Sequence, residues 1–139
     1  TVFDQLSYLI NLHQPILKIN LENDSLSNMN KAYLESIMLN LLTNAIKYRN
    51  PAKKLKITIT TKEKVDKTIL TFEDNGIGID IERNKDKIFG LYQRFHNYPD
   101  SKGLGLYLVK SQVETMGGTI DVQSQVNKGT KFTLTFKKE

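Results

Sequence analysis

The apolar alternation of Leu70 and Phe72 ends on an acid, and that ending constrains the fold more than any other stretch of the chain. Side chains of a strand repeat every second residue, so Asp74 shares a face with Leu70 and Phe72 and is aimed inward. The acid opens the run Asp74-Asn75-Gly76-Ile77-Gly78. A lone carboxylate followed by two glycines offers an acceptor for a base edge, beside a backbone bare enough for a ligand to lie against it. Asp-Asn-Gly is equally an ordinary turn, and for Asp74 alone a turn or helix cap competes evenly with a binding role.

The pattern around this strand is a mixture of helices and strand pairs. Val2, Leu6, Leu9 and Ile10 predict a short helix that stops before Pro15, and Ile16, Leu17, Ile19 and Leu21 predict a strand. After the polar stretch Asn23 to Asn30, residues Lys31 to Tyr48 read as a long helix. Leu34, Ile37, Met38, Leu41 and Ala45 recur at helical spacing there, and Pro51 lies beyond the end. Leu55, Ile57 and Ile59 alternate with polar residues before the turn-like Lys62–Lys67, predicting that two antiparallel strands meet there. A third helix is expected from about Gly103 to Met116, stopped by Gly117-Gly118. A second hairpin follows, built from Ile120 and Val122, then Phe132, Leu134 and Phe136, around Asn127-Lys128-Gly129-Thr130. This order predicts an α+β fold, with helices covering one face of a sheet.

At 139 residues the chain is sized for one domain, which would bury roughly 68–70% of the surface exposed when unfolded. With no cysteine, neither a disulfide framework nor a Cys-ligated zinc site is open to it, and only His13 and His96 could supply imidazole. No apolar stretch approaches the ~20 residues needed to span a bilayer and the first residues do not form a signal sequence, so a soluble chain is expected. The net charge of +5 and pI near 9.3 could suit nucleic acid. The lysines, however, are dispersed at 53, 54 and 56, at 62, 64 and 67 and at 137 and 138, without interleaved aromatics, which favours a solvated surface.

Asn40, Asn44 and Lys47 lie within roughly 60° of arc on the long helix, beside its apolar face, so all three can reach one cleft. An Asn carbonyl oxygen suits a hard cation such as Mg²⁺ shared with substrate phosphates, and a nearby Lys adds countercharge. For this helix alone, amides bonded within the fold and a surface lysine are the stronger reading. An ionised Asp74 accepts but cannot donate, so it selects a purine with an exocyclic amino group, as adenine has. Gly103-Leu104-Gly105 lacks the third glycine and the βαβ setting of a dinucleotide fingerprint. Glycines opening a helix still let backbone N–H groups approach phosphate oxygens.

Read together, these segments resemble the sensor histidine kinases. Asn40-Leu41-Leu42-Thr43-Asn44-Ala45-Ile46-Lys47-Tyr48 resembles their N box, Asp74-Asn75-Gly76-Ile77-Gly78 the G1 box, Ile88-Phe89-Gly90-Leu91-Tyr92-Gln93-Arg94-Phe95 the F box and Lys102-Gly103-Leu104-Gly105-Leu106 the G2 box. Gly129-Thr130-Lys131-Phe132 is similar to the last glycine motif, and the likeness runs through the chain in order. The resemblance implies a single ATP-binding catalytic domain over residues 1–139 of the GHKL superfamily. Its fold would be the two-layer α/β sandwich (Bergerat fold), a mixed, mainly antiparallel sheet covered on one face by about three helices.

The resemblance also implies roles. Asp74 would bind the adenine amino group with Thr130 supporting it through water, and Asn44 would ligate Mg²⁺. Asn40, Lys47 and Tyr48 would line the phosphate and ribose side, and Gly76 and Gly78 would let backbone approach the nucleotide. Ile79, Leu104 and Phe132 would wall the adenine pocket, with Gly103, Gly105 and Leu106 completing the G2 segment. Arg94 would stand near the terminal phosphate and, with Asn40 and Lys47, serve catalysis. Residues 79–102, 24 in all, would form an ATP lid, whose charges at Asp80, Glu82, Arg83, Lys85, Asp86 and Lys87 suit solvent better than core.

Two departures stand out. Ser101 and Lys102 precede Gly103 where the family usually has another glycine, which bears on Lys102's contact with phosphate. His13 precedes Gln14-Pro15, whereas the family's phosphoacceptor is followed by an acid in a long helix. The dimerisation and phosphoacceptor domain is therefore expected to be absent, with His13 and His96 structural or solvated. The implied chemistry is transfer of the ATP γ-phosphate to a histidine of that separate domain, which in turn serves a response regulator, in a homodimeric full-length protein. The expected setting is a cytoplasmic domain of a membrane-bound sensor, with no membrane or nucleic-acid contact of its own and little turnover alone. The alternatives are a GHKL-type ATPase, which would place Glu where Asn40 stands, or an inactive nucleotide-sensing or interaction module.

Overall fold

A computed structural model describes residues 2–22, 24–84, 87–90 and 105–138. Helix α1 (Val2–His13) ends where Gln14, at φ 45°, bonds back to Ile10 and Pro15 forbids another turn. Strand β1 (Ile16–Asn20) follows at once. Asn30 caps α2 (Lys31–Lys47), its side chain accepting from the Tyr33 N–H at 3.1 Å. Strands β2 (Lys56–Glu63) and β3 (Lys67–Asp74) form the expected hairpin. A four-residue helix α3 (Ile81–Asn84), not foreseen in the sequence, precedes α4 (Gly105–Thr115). Gly117, at φ 77°, stops α4, and β4 (Gly118–Gln125) turns through Asn127 into β5 (Gly129–Lys137).

The five strands form one sheet in the order β1-β2-β3-β5-β4. Pairing is antiparallel except for β1 with β2, which run parallel, so the sheet is mixed and mainly antiparallel as expected. Alternation decides which face is covered. Ile57, Leu70, Phe72, Leu134 and Phe136 point to the helices and are almost wholly buried, while Thr58, Thr60, Thr71, Thr133 and Thr135 line the opposite face. The Thr60 and Thr71 hydroxyls hydrogen-bond across that face.

From α2 come Ile37, Leu41, Leu42, Ala45 and Ile46, and from α4 Leu106, Val109 and Val113, all buried in the core. Full burial of one such side chain stabilises by roughly 1.5–3 kcal/mol, so this layer is the main favourable term holding the helices to the sheet. Helix α1 packs on α2 with Leu6, Leu9 and Ile10 partly buried. The architecture is thus the predicted α+β sandwich. Among the described residues no helix is long and apolar enough to cross a membrane.

The segment from Ile79 is not solvated throughout: Ile79, expected as a pocket wall, and Ile88 are each 3% exposed and belong to the core, with Phe89 packed against it. Two apolar anchors hold part of this segment down. The charges at Asp80, Glu82, Arg83 and Lys87 remain exposed between them.

Candidate functional site

Asp74 ends β3 at a position paired with Ile57 on one side and Thr130 on the other. As the alternation requires, its side chain is buried, at 8% exposure. Burial pushes its pKa from an ordinary 3.8 up to about 6, against the pull of backbone N–H groups of Gly76 and Thr130, with neighbouring Glu73 adding to the rise. The Gly76 N–H reaches Oδ1 at 2.8 Å. The carboxylate is therefore a buried acceptor that the main-chain N–H groups of Gly76 and Thr130 hold in place.

The loop after Asp74 is fastened to three elements. Asn75 bridges back to the start of β2, accepting from the Lys56 N–H at 2.8 Å and donating to the Lys54 carbonyl at 2.9 Å. The Ile77 N–H donates to the carbonyl of Tyr48, which caps α2, at 2.9 Å. A Cβ on Gly76 would stand 2.6 Å from that oxygen, so only glycine admits the approach. On the other side the Asn127 N–H donates to the Ile77 carbonyl at 2.7 Å, and the Ile79 N–H to Ser124 Oγ at 2.7 Å. Gly78, at φ 77°, lies against the β4–β5 turn, where a Cβ would come within 2.2 Å of the Gln125 carbonyl.

Asn40, Asn44 and Lys47 share the half-buried flank of α2, and Tyr48 is buried at its end. The Asn40 amide nitrogen donates to the Ser36 carbonyl at 3.0 Å. Its oxygen points toward α4, 3.7 Å from where a Cβ on Gly105 would stand. That contact places the first residue of α4 against the α2 flank. Ile79, Leu106 and Phe132 are buried, and the Phe89 ring meets Phe132 edge-on with centroids 6.4 Å apart. Lys110 Nζ lies 5.6 Å from the Phe89 centroid.

Of the predicted site residues, Asp74, Gly76, Gly78, Ile79, Thr130 and Phe132 are thus joined into one unit, and Tyr48 ties it to the helix carrying Asn44 and Lys47. Asn40, Gly105 and Leu106 link that helix to α4. Arg94, Lys102, Gly103 and Leu104, like His96, lie outside the described residues. A cleft of about 520 Å³ lined by Ile77, Gly78, Asp80, Arg83, Asn84, Lys87, Val126 and Asn127 has only Gly78 in common with the predicted set.

Sequence reasoning missed Asn75 and Ser124. The position of Ser124 directly across from Thr130 in the β4–β5 pairing is the signal that could have found the latter. Among the described residues no group of three or more His, Cys, Asp or Glu could hold a metal by itself. A divalent cation here would have to be completed by ligand oxygens, which fits one amide such as that of Asn44.

Residues 29–139 match the model of the histidine kinase-, DNA gyrase B- and HSP90-like ATPase family. The sensor protein RprX of Bacteroides fragilis is 38% identical over 106 residues, covering 73% of this chain and 20% of that protein. The heme sensor protein HssS of Staphylococcus saprophyticus is 37% identical over 123 residues, covering 88% and 26%. The chain therefore spans about a fifth to a quarter of these relatives. Among solved structures, a mycobacterial sensor histidine kinase, MprB, superposes with a TM-score of 0.79 at 19% identity, over 98% of this chain and 92% of that one. The catalytic domain of histidine kinase ThkA gives 0.76 at 22%, over 99% and 89%. At these identities the two structures speak to the fold.

Proposed function

The chain belongs to the family of histidine kinase-, DNA gyrase B- and HSP90-like ATPases, and from that premise we propose that it is the ATP-binding catalytic domain of a sensor histidine kinase. The observation that carries this reading is the buried Asp74 carboxylate, whose loop is bonded to the end of the very helix that presents Asn40, Asn44 and Lys47. In this reading base recognition and phosphate recognition act on one nucleotide.

In this proposal Asp74 accepts from the adenine 6-amino group and Thr130 assists through water, while Ile79, Leu104 and Phe132 enclose the ring. Gly76 and Gly78 admit the nucleotide against the main chain. Asn40, Lys47 and Tyr48 flank the ribose and phosphates, the Lys102–Leu106 segment offers N–H groups to the phosphate oxygens, and Arg94 meets the γ-phosphate. Asn44 is the protein ligand for Mg²⁺, which when bound spreads the charge of the phosphate oxygens.

The γ-phosphoryl group passes in line to an imidazole nitrogen and ADP leaves, with Lys47 and Arg94 offsetting charge at the transferred group. The imidazole belongs to a separate dimerisation domain in a homodimeric sensor, and a response regulator takes the phosphoryl group onward. Hydrolysis is disfavoured, because a water-activating base is needed and Asn40, its amide already donating to Ser36, cannot accept a proton at neutral pH.

Calorimetric titration with Mg-ATP, followed by incubation with a histidine-bearing hairpin domain and γ-labelled ATP, tests the proposal. Acid-labile label on histidine supports it. Free phosphate as the main product would point to a hydrolase, and bound but unchanged ATP to a sensing module.

A further inference from the structure

Ser124 carries a hydrogen-bond inventory that the mechanism above does not use. Its Oγ lies 2.8 Å from the Gly129 carbonyl, 2.7 Å from the Ile79 N–H and 2.8 Å from the Thr130 hydroxyl. A hydroxyl has one proton and two lone pairs. The Gly129 carbonyl can only accept, so it takes the Ser124 proton; the Ile79 N–H can only donate, so it takes one lone pair. What remains for Thr130 is the second lone pair, and the Thr130 hydroxyl must donate to Ser124.

The consequence falls on the base. Thr130 is 6% exposed and stands in register with Asp74. With its proton turned away toward Ser124, its oxygen is left with lone pairs alone. The water that Thr130 shares with the ionised Asp74 therefore gives its two protons to those two acceptors and meets the base with lone pairs only. Asp74, when ionised, also presents only acceptors. We propose that Ser124 is a positioning residue for nucleobase selectivity, locking the Thr130 hydroxyl as an acceptor so that the site takes a 6-amino purine and rejects a 6-oxo purine.

This inference rests on the nucleotide-binding reading above. Ser124 touches no part of the nucleotide in it, and its effect on the choice of base runs through Thr130. Because Ser124 also holds the Ile79 N–H at the root of the following segment, its loss would weaken all nucleotides somewhat. A ratio of affinities separates the two effects, since ATP and ITP share ribose and triphosphate and differ at the purine, where the 6-amino group is replaced by an oxo group.

Calorimetric Kd values for Mg-ATP and Mg-ITP would be measured on the wild-type chain and on Ser124→Ala, Ser124→Thr and Thr130→Val. The expected result is a wild-type preference for ATP that falls by about tenfold in Ser124→Ala, where the Thr130 proton is released toward that water and frees one of the water's protons for the base, as loss of a neutral hydrogen bond suggests. Ser124→Thr keeps the hydroxyl and should restore the ratio, while Thr130→Val should lower it. An unchanged ratio in a folded Ser124→Ala overturns the proposal. Should Ser124→Ala fail to fold, an unchanged ratio in Thr130→Val overturns it equally. A wild-type chain that binds neither nucleotide refutes the functional reading itself, which is a different outcome from ATP binding with an unaltered ratio.

Discussion

The two ends of the proposed cavity are built from different materials. At the base end, Asp74, Thr130 and Phe132 stand on neighbouring central strands, buried, with the Asp74 carboxylate held by two main-chain N–H groups. At the phosphate end, Asn40, Asn44 and Lys47 stand on the half-buried flank of a helix, opposite the first residue of another. A strand in the middle of a sheet fixes its side chains through ladders on both sides, so the base end is preorganised by the fold. A helix flank presents long polar side chains that a charged ligand completes. Affinity should therefore be concentrated at the base end, and metal dependence at the other.

The sharpest way to break this contrast is Asp74→Asn. The amide presents a donor toward the donor of the 6-amino group, and loss of a charged hydrogen-bond partner in a buried site should weaken ATP by about a hundredfold or more. Calorimetry gives the number. Affinity within a few-fold of wild type would move base recognition elsewhere.

Gly78→Ala probes how far the loop between the two ends depends on the turn of β4–β5. A Cβ at φ 77° and 2.2 Å from the Gln125 carbonyl cannot be accommodated without moving that turn. A loss of roughly 2 kcal/mol in urea unfolding is expected, from strain plus a displaced backbone. A variant as stable as the wild type would show that the turn yields freely.

At the phosphate end, Asn44→Ala should leave unfolding nearly unchanged yet raise the Mg²⁺ concentration needed for half-maximal ATP binding by about tenfold, the scale of one lost ligand contact at about 1.4 kcal/mol. An unaltered metal titration would remove Asn44 from that role. A large loss of stability instead would mean that its amide serves the fold.

The same contrast explains what could be read from the chain. Asp74 announced its direction because Leu70 and Phe72 alternate before it, and α2 announced itself through Leu34, Ile37, Met38, Leu41 and Ala45. Periodicity says nothing about partners, so the parallel pairing of β1 with β2 was not legible. Nor was α3, whose four residues are about one turn and carry no repeat. Ile88 was hidden for a different reason, since the charges before it outweigh one apolar residue in any window, yet burial in the structure is decided by where a single side chain lands. Ser124 is a lone hydroxyl on a strand. Its significance exists only through the register that sets it across from Thr130.

The smallest expected effect tests why the base end is costly to keep. Asp74 titrates near 3.8 when unfolded and about 6 when folded, because burial disfavours the charge. A carboxyl raised on folding binds its proton more tightly in the native state, so its stabilising contribution is full below pH 3.8 and is lost as pH rises through about 6. Acidifying from pH 7 to pH 5 should then stabilise the chain by about 1 kcal/mol through this group. Glu63 moves the opposite way, lowered by its hydrogen bond to Lys138, so whatever it contributes is lost only at more acid pH. Subtracting the profile of Asp74→Asn isolates the effect from every other titrating group. If the difference between the two profiles is flat from pH 5 to 7, the carboxylate is better hydrated than its burial implies, and the rigid acceptor assigned to the base end loses its physical basis.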